Sequence, residues 1–193
     1  MFMLFEIEEA IGIPPKEFHK PLKEVAMQQL KNLYEGIIDE ELGYVIAIVD
    51  VDVEPIGYLL PRDGSTYHKY RLKLLTYLPK VQEVVEGEIV ELTDFGAFVR
   101  IGPVDALLHI SQIMDDYLDY DEKHSILTGK KTGKKLIVGD SVRARIVAVS
   151  LTSGASGKIG ITTRQPFLGK IEWIKEETKK LKGSESKVET SIS

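Results

Sequence analysis

Residues 87–113, GEIVELTDFGAFVRIGPVDALLHISQI, constrain this chain more than any other stretch, because apolar and β-branched residues recur there at strand spacing with turn residues between them. Within it, FGAFVRIG sets Phe95 and Phe98 three apart across Gly96. Strict alternation would send the two rings to opposite sides of a sheet. A bulge at the glycine shifts the parity by one and brings both onto the same surface. Two aromatics on one surface, with His109 on the next strand and basic residues beyond it, make a candidate base-stacking platform. Burial competes with that reading: covering a phenylalanine stabilises by about 1.5 to 3 kcal/mol, so composition alone assigns both rings to a core.

The chain has 193 residues, 43% of them hydrophobic, which is room for one or two domains with real cores. With 25 Lys+Arg against 30 Asp+Glu its formal charge is −5, so it is not a general coat for nucleic acid, whose affinity comes from neutralised phosphates. Any RNA contact is expected to be local and modest. The absence of cysteine excludes disulfides, thiolate catalysis and cysteine-ligated zinc, and is compatible with a reducing cytoplasm. The start, MFMLFEIEEA, has no basic segment and carries Glu6, Glu8 and Glu9, so neither a signal peptide nor a membrane span is expected there.

Residues 1–13 read as a strand ended by Pro14 and Pro15. Pro21 suits the first position of a helix, along which Leu22, Val25, Ala26, Leu30, Leu33 and Tyr34 recur at helical spacing, and Gly36 ends it. YVIAIVDVDV, residues 44–53, reads as a central strand, buried first on both faces and then on one. Its Asp50 and Asp52, with Glu54, have the spacing of one strand face; no calcium-loop glycine follows, and a solvated face is the expected role rather than a metal site. PRDGST, residues 61–66, is a strong turn, and residues 66–78 return as a strand mixing Tyr67, Lys69, Tyr70, Arg71 and Lys73, for which a protein contact is weighed above RNA. His19 and His68 lack ligands at metal spacing and read as surface or capping residues. The strand runs on through Pro79 without a Gly/Ser linker.

After the third strand of the second domain, residues 114–136 open acidic and close basic at Lys130, Lys131, Lys134 and Lys135; a charge run of this kind reads as solvated loop, with its basic half able to line a path for phosphates. Residues 138–151 alternate cleanly: Val142, Ala144, Ile146 and Ala148 on one face, Arg143, Arg145 and Val147 on the other. Residues 158–164 supply a closing strand, residues 167–182 an amphipathic helix anchored by Trp173, and residues 183–193 have the composition of a disordered tail.

The ordered series GEIVELTDFGAFV, LLHIS and VGDSVRARI resembles the S1 RNA-binding domain over about residues 81–164. That resemblance implies an all-β, five-stranded OB-type barrel with Phe95, Phe98 and His109 on the RNA-facing surface. Over about residues 1–180, PPKEF, GYVIAIVDV, DGSTYH, GPVDALLHISQIMDDY and RQPFLGKIEWI together look like the E-prime stalk family of archaeal DNA-directed RNA polymerase, counterpart of the seventh subunit of eukaryotic polymerase II. This likeness implies an α+β, truncated RNP-like polymerase-docking domain at 1–80, an S1 barrel at 81–166 with an insertion at 114–136, and a C-terminal helix.

It further implies a non-catalytic stalk subunit, with no cofactor, metal or small-molecule substrate of its own, in the cytoplasm. The implied partners are the polymerase core, a small helical protein of the F type and nascent single-stranded RNA. The family's tip loop falls on Pro61, Arg62, Asp63, Gly64, Ser65 and Thr66, and its RNA surface on Phe95, Phe98 and His109, with Arg100, Arg143, Arg145 and Lys158 as candidate cations. Many S1 domains carry Asp and Arg where this chain has Ser150 and Lys158, and a lysine keeps the charge while losing the planar, stacking fork. Weak, sequence-tolerant binding is therefore expected. An S1-bearing component of an RNA-decay or translation complex is the alternative, although neither the KH domain nor the long helical domain expected of such a protein is visible; an S1-type ribonuclease would need a carboxylate cluster with supporting partners.

Overall fold

The computed structural model describes residues 1–152 and 157–189, with 181–189 as backbone only. Contacts divide the chain into two units, the first comprising residues 1–79 and also Leu151, Thr152 and Gly157, the second residues 80–150 and those from Lys158 on.

In the first unit, β1 (Phe2–Ile13) ends at the two prolines, α1 spans Leu22–Tyr34, and β2 (Ile38–Asp39), β3 (Gly43–Val53), β4 (Tyr58–Leu59) and β5 (Thr66–Tyr77) follow. Pro21 occupies the N-cap of α1 rather than its first turn, and Gly36 takes φ +79° just beyond the helix, a conformation that costs glycine little. The sheet is antiparallel in the order β1-β5-β3-β2, with β4 also on β5. Val25, Ala26 and Leu30 of α1 meet Ile11, Ile13, Val45, Val51, Tyr70, Leu72 and Leu74 to form the core. Every second residue of β5 thus faces the helix, and that alternation makes the sheet one-sided.

Here β3 departs from the central strand expected of it. It has β5 along its length but β2 only at Tyr44 and Gly43, and its register slips after Val45 and after Ile48. Bulges of this kind are what edge strands tolerate. The outer face carries a charge ladder: Lys73 lies between Glu6 and Asp50, and Arg71 between Glu8 and Asp52. The Arg71 guanidinium contacts Glu8 at 2.6 Å and Glu6 at 3.0 Å, and Lys23 approaches Asp50 at 3.5 Å. Asp50 and Asp52 therefore sit among the chain's own cations. His68 is no surface residue: it is buried, with Nδ1 2.9 Å from the Glu54 carbonyl oxygen and Nε2 3.2 Å from Thr66 Oγ1.

The second unit contains β6 (Val84–Thr93), β7 (Gly96–Arg100), β8 (Asp105–His109), β9 (Leu118–Asp121), β10 (Ile126–Gly129), β11 (Lys135–Ile137), β12 (Ser141–Ser150), β13 (Lys158–Thr162) and β14 (Gly169–Lys170). Five of these close on themselves, β6-β7-β8-β13-β12 and back to β6, with β13–β8 the parallel pair. Ile89, Leu92, Ala97, Val99, Ala106, Leu108, Val142, Ala144, Ile146, Ile159 and Ile161 fill the interior. Closure removes the unpaired strand edges, so the barrel needs few covering helices.

Three expectations fail locally in this unit. The alternation of β12 breaks at a register shift between Ile146 and Ala148, so Ala148 is exposed instead of joining Ala144 inside. The insertion is not a loop: β9, β10 and β11 pair antiparallel, and Leu127 and Leu136 are buried there. Lastly, the C-terminal helix α2 spans Ile171–Glu189, beginning later than Phe167 and including residues 183–189 that read as tail; 190–193 lie outside the described residues. Its start is displaced because Phe167 adopts φ +62° and Gly169–Lys170 pairs with β12. Lys170 is held between Asp140 at 2.8 Å and Glu172 at 3.0 Å.

Candidate nucleic-acid interface

Phe95 and Phe98 do lie on one surface, by a different device from the bulge at Gly96. Phe95 sits in the turn between β6 and β7, and the register slip is in β6, between Ile89 and Glu91. Gly96 takes φ +156°, and a Cβ there would collide with the Leu108 carbonyl oxygen. The glycine is thus required for close approach of β7 to β8. The Phe95 carbonyl accepts from Ile110 N at 2.8 Å, and Thr93 Oγ1 donates to the Gly96 carbonyl at 3.0 Å, closing the turn on both sides. The rings meet edge to face, centroids 6.1 Å apart and planes at 88°. Phe95 is 45% exposed, and Phe98 half-buried.

His109 stands opposite Gly96 on β8, beside the rings and open to solvent. Its Nδ1 accepts from Ser111 N at 3.3 Å and lies 2.8 Å from Ser111 Oγ, capping the single turn of 3-10 helix at Ile110–Gln112. An accepting Nδ1 leaves the proton on Nε2, so the ring offers an N–H donor outward. Between these groups Leu107 pairs with Phe98 on one side and with Gly160 of β13 on the other. At Gly160 a Cβ would lie in ordinary van der Waals contact with Ala148 and Val147 of β12.

The candidate cations are dispersed. Arg100 closes on Asp105 in a fork, Nε to Oδ1 at 2.9 Å and Nη2 to Oδ2 at 3.2 Å, and the carboxylate raises the guanidinium pKa further. Lys158 is exposed at the start of β13, opposite Ser150. Arg143 and Arg145 lie on β12, which does not border β7 or β8. Arg143 donates to Glu86 at 2.9 and 2.7 Å, and Arg145 to Gln165 Oε1 at 2.6 Å and to the Gln82 carbonyl at 2.9 Å. Of the predicted set, then, Phe95, Phe98 and His109 converge, while the two β12 arginines are occupied on another wall.

In the first unit, Pro61, Arg62, Asp63 and Gly64 form an exposed turn between β4 and β5, with Ser65 and Thr66 partly covered. Asp63 accepts from Ser65 N at 2.9 Å and from Tyr67 Oη at 2.5 Å. The phenol hydrogen bond holds the Asp63 carboxyl below its ordinary range and pushes the Tyr67 phenol up. Beside this turn lie apolar side chains that the turn signal did not mark: Ile56 is 84% and Leu59 67% exposed, and Leu60 is open as well. Alternation would have found Leu107, outward between buried Ala106 and Leu108. No pattern in the sequence announces that Ile56, Leu59 and Leu60 lack cover.

Comparison with known proteins agrees with both units. The S1 RNA binding domain family matches residues 78–159, and the SHS2 domain found in the N terminus of Rpb7p/Rpc25p/MJ0397 matches residues 8–64. DNA-directed RNA polymerase subunit Rpo7 of Saccharolobus shibatae is 45% identical over 180 residues, 93% of this chain and 100% of the relative. Its counterpart in Saccharolobus solfataricus is 46% identical over 181 residues, again 93% and 100%. DNA-directed RNA polymerase II subunit rpb7 of Dictyostelium discoideum is 25% identical over 89% of this chain and 99% of its own length. With near-complete coverage of these relatives, and a closed barrel that follows an RNP-like unit in the chain, the protein belongs to the Rpo7 family, the stalk subunits of archaeal DNA-directed RNA polymerase that carry an S1 RNA-binding domain.

Proposed function

We propose that the wall formed by β7, β8 and β13 is where this stalk protein holds single-stranded nascent RNA, during initiation and elongation, while the turn between β4 and β5 docks on the polymerase core. The observation that carries the RNA reading is the Phe95–Phe98 pair, whose outer ring, Phe95, is held exposed by a glycine turn against a half-buried Phe98 rather than folded into the barrel. A base stacking on such rings contributes about 1 to 3 kcal/mol, whatever its identity. His109 Nε2–H supplies a donor for a base edge or a 2′-hydroxyl. Lys158 supplies a charge for phosphate, and Arg100 does so while shared with Asp105. Arg143 and Arg145 hold β12 to its surroundings in this reading, which keeps binding weak and tolerant of sequence.

The docking reading rests on Ile56, Leu59 and Leu60 beside the turn Pro61–Arg62–Asp63–Gly64–Ser65–Thr66, since an apolar group left open next to an ordered turn favours a protein partner. A small helical protein of the F type is the further partner, and the chain acts in the cytoplasm without catalytic residues, cofactor or metal of its own. A place in an RNA-decay or translation complex is not favoured, because the relatives matching nearly the whole chain are polymerase subunits. The deciding experiment is binding of a U-rich oligomer to the Phe95→Ala/Phe98→Ala chain. Affinity is expected to drop by roughly tenfold or more with thermal stability and polymerase association retained; wild-type affinity in the double variant would mean the rings serve the fold alone.

A further inference from the structure

Beyond the platform, the barrel unit holds a cleft of about 520 Å³ lined by Ile110, Ser111, Met114, Tyr117, Lys131 and Arg164, together with Asp115, Asp116 and Leu118. Its first wall begins immediately after His109, at Ile110, whose N–H donates to the Phe95 carbonyl at 2.8 Å. Its second wall belongs to the insertion, which is fastened beside the platform turn: Tyr120 Oη donates to the Leu92 carbonyl at 3.0 Å. Arg164 joins the two walls, donating to the Ser111 carbonyl at 3.3 Å and to Asp115.

Tyr117 is 74% exposed although its backbone is fixed on both sides. Its N–H donates to Asp116 at 2.7 Å, and its carbonyl accepts from Lys130 N at 2.8 Å. Asp116 also accepts from Thr132 N at 2.8 Å, from Thr132 Oγ1 at 2.9 Å and from Lys131 N at 3.0 Å. That lattice orders the turn carrying Lys131, whose ammonium stands 5.9 Å from the centre of the Tyr117 ring. A cation on one face of a tyrosine leaves the other face free for a stacking partner. The ring is thus open to solvent on a fixed stretch of backbone, with no ring–ring contact among the described residues.

Resting on the reading of β7 and β8 as an RNA surface, we infer that this cleft receives a further unpaired base of the same strand, stacked on Tyr117. Two carboxylates and two cations line it, so the cleft contributes stacking more than phosphate neutralisation. The insertion thereby lengthens the RNA path of the barrel by a stretch that short oligomers do not reach.

The test uses the full chain and fluorescein-labelled oligouridines of about four and about twelve nucleotides, spanning the site sizes of OB folds. Tyr117→Ala is expected to weaken the longer probe about five- to a hundredfold and leave the shorter one unchanged, with Tyr117→Phe binding both as wild type does. The slope of affinity against salt should stay the same, because no phosphate contact is lost. Phe95→Ala/Phe98→Ala should weaken both probes. If Tyr117→Ala binds the longer probe like wild type while the phenylalanine variant does not, the cleft assignment is wrong and the platform stands. Equal loss on both probes, or loss in Tyr117→Phe, would also overturn it, since the residue would then act through the fold. If the phenylalanine variant is unaffected as well, both assignments fall.

Discussion

Gly96 is the residue on which the interface turns. Its φ of +156° and the nearness of the Leu108 carbonyl leave no place for a side chain, so Gly96→Ala is expected to destabilise the barrel by roughly 2 kcal/mol or more, read as a lower urea midpoint. Loss of RNA binding should accompany it, because the same turn presents Phe95. His109 illustrates a double role at this scale: one ring nitrogen caps a turn of backbone, and that bond aims the other nitrogen outward. That Phe95, Phe98 and His109 come together was legible from FGAF and LLHIS. How the rings share a face was not, since Phe95 escapes alternation by lying in a turn and the register slip is on the neighbouring strand.

Among the elements, β12 shows where periodicity stops being informative. A register shift between Ile146 and Ala148 exposes Ala148, whereas Ala144 is 1% exposed. Ala148→Lys should change stability by no more than about 0.5 kcal/mol, and Ala144→Lys should cost about 3 kcal/mol or more, both measured by chemical unfolding; unbroken alternation predicts equal damage. The insertion rests on Asp116, whose carboxyl is held below its ordinary range first by the Thr132 N–H and then by the Thr132 hydroxyl and further amides. A depressed carboxylate contributes stability that is present above its unfolded pKa, near 4, and is lost as pH falls through the lower folded value. Asp116→Asn should therefore reduce hydrogen-exchange protection at Lys131 and Thr132 at neutral pH, and the difference from wild type should vanish in strong acid.

For the whole molecule, the proposed attachment and RNA surfaces lie on different units, so the two functions should be separable by mutation. Leu59→Asp with Leu60→Asp is expected to abolish copurification of the large polymerase subunits from a lysate while leaving the thermal midpoint and oligouridine affinity of the isolated chain unchanged, because both side chains are open to solvent. The phenylalanine double variant should do the reverse.

Sequence by itself determined the two-part layout, the strands of the barrel and the aromatic pair, because these follow from alternation, turn chemistry and ordered motifs that act over a few residues. Tertiary structure decided which side chains meet. Closure through β13–β12 and β13–β8 puts Leu107 and Gly160 beside Phe98, while Arg143 and Arg145 go to another wall. It also decided that Leu127 and Leu136 fold a charged run into a sheet, and that Ile56, Leu59 and Leu60 stay uncovered. Burial and pairing are properties of segments far apart in the chain, so no local pattern encodes them.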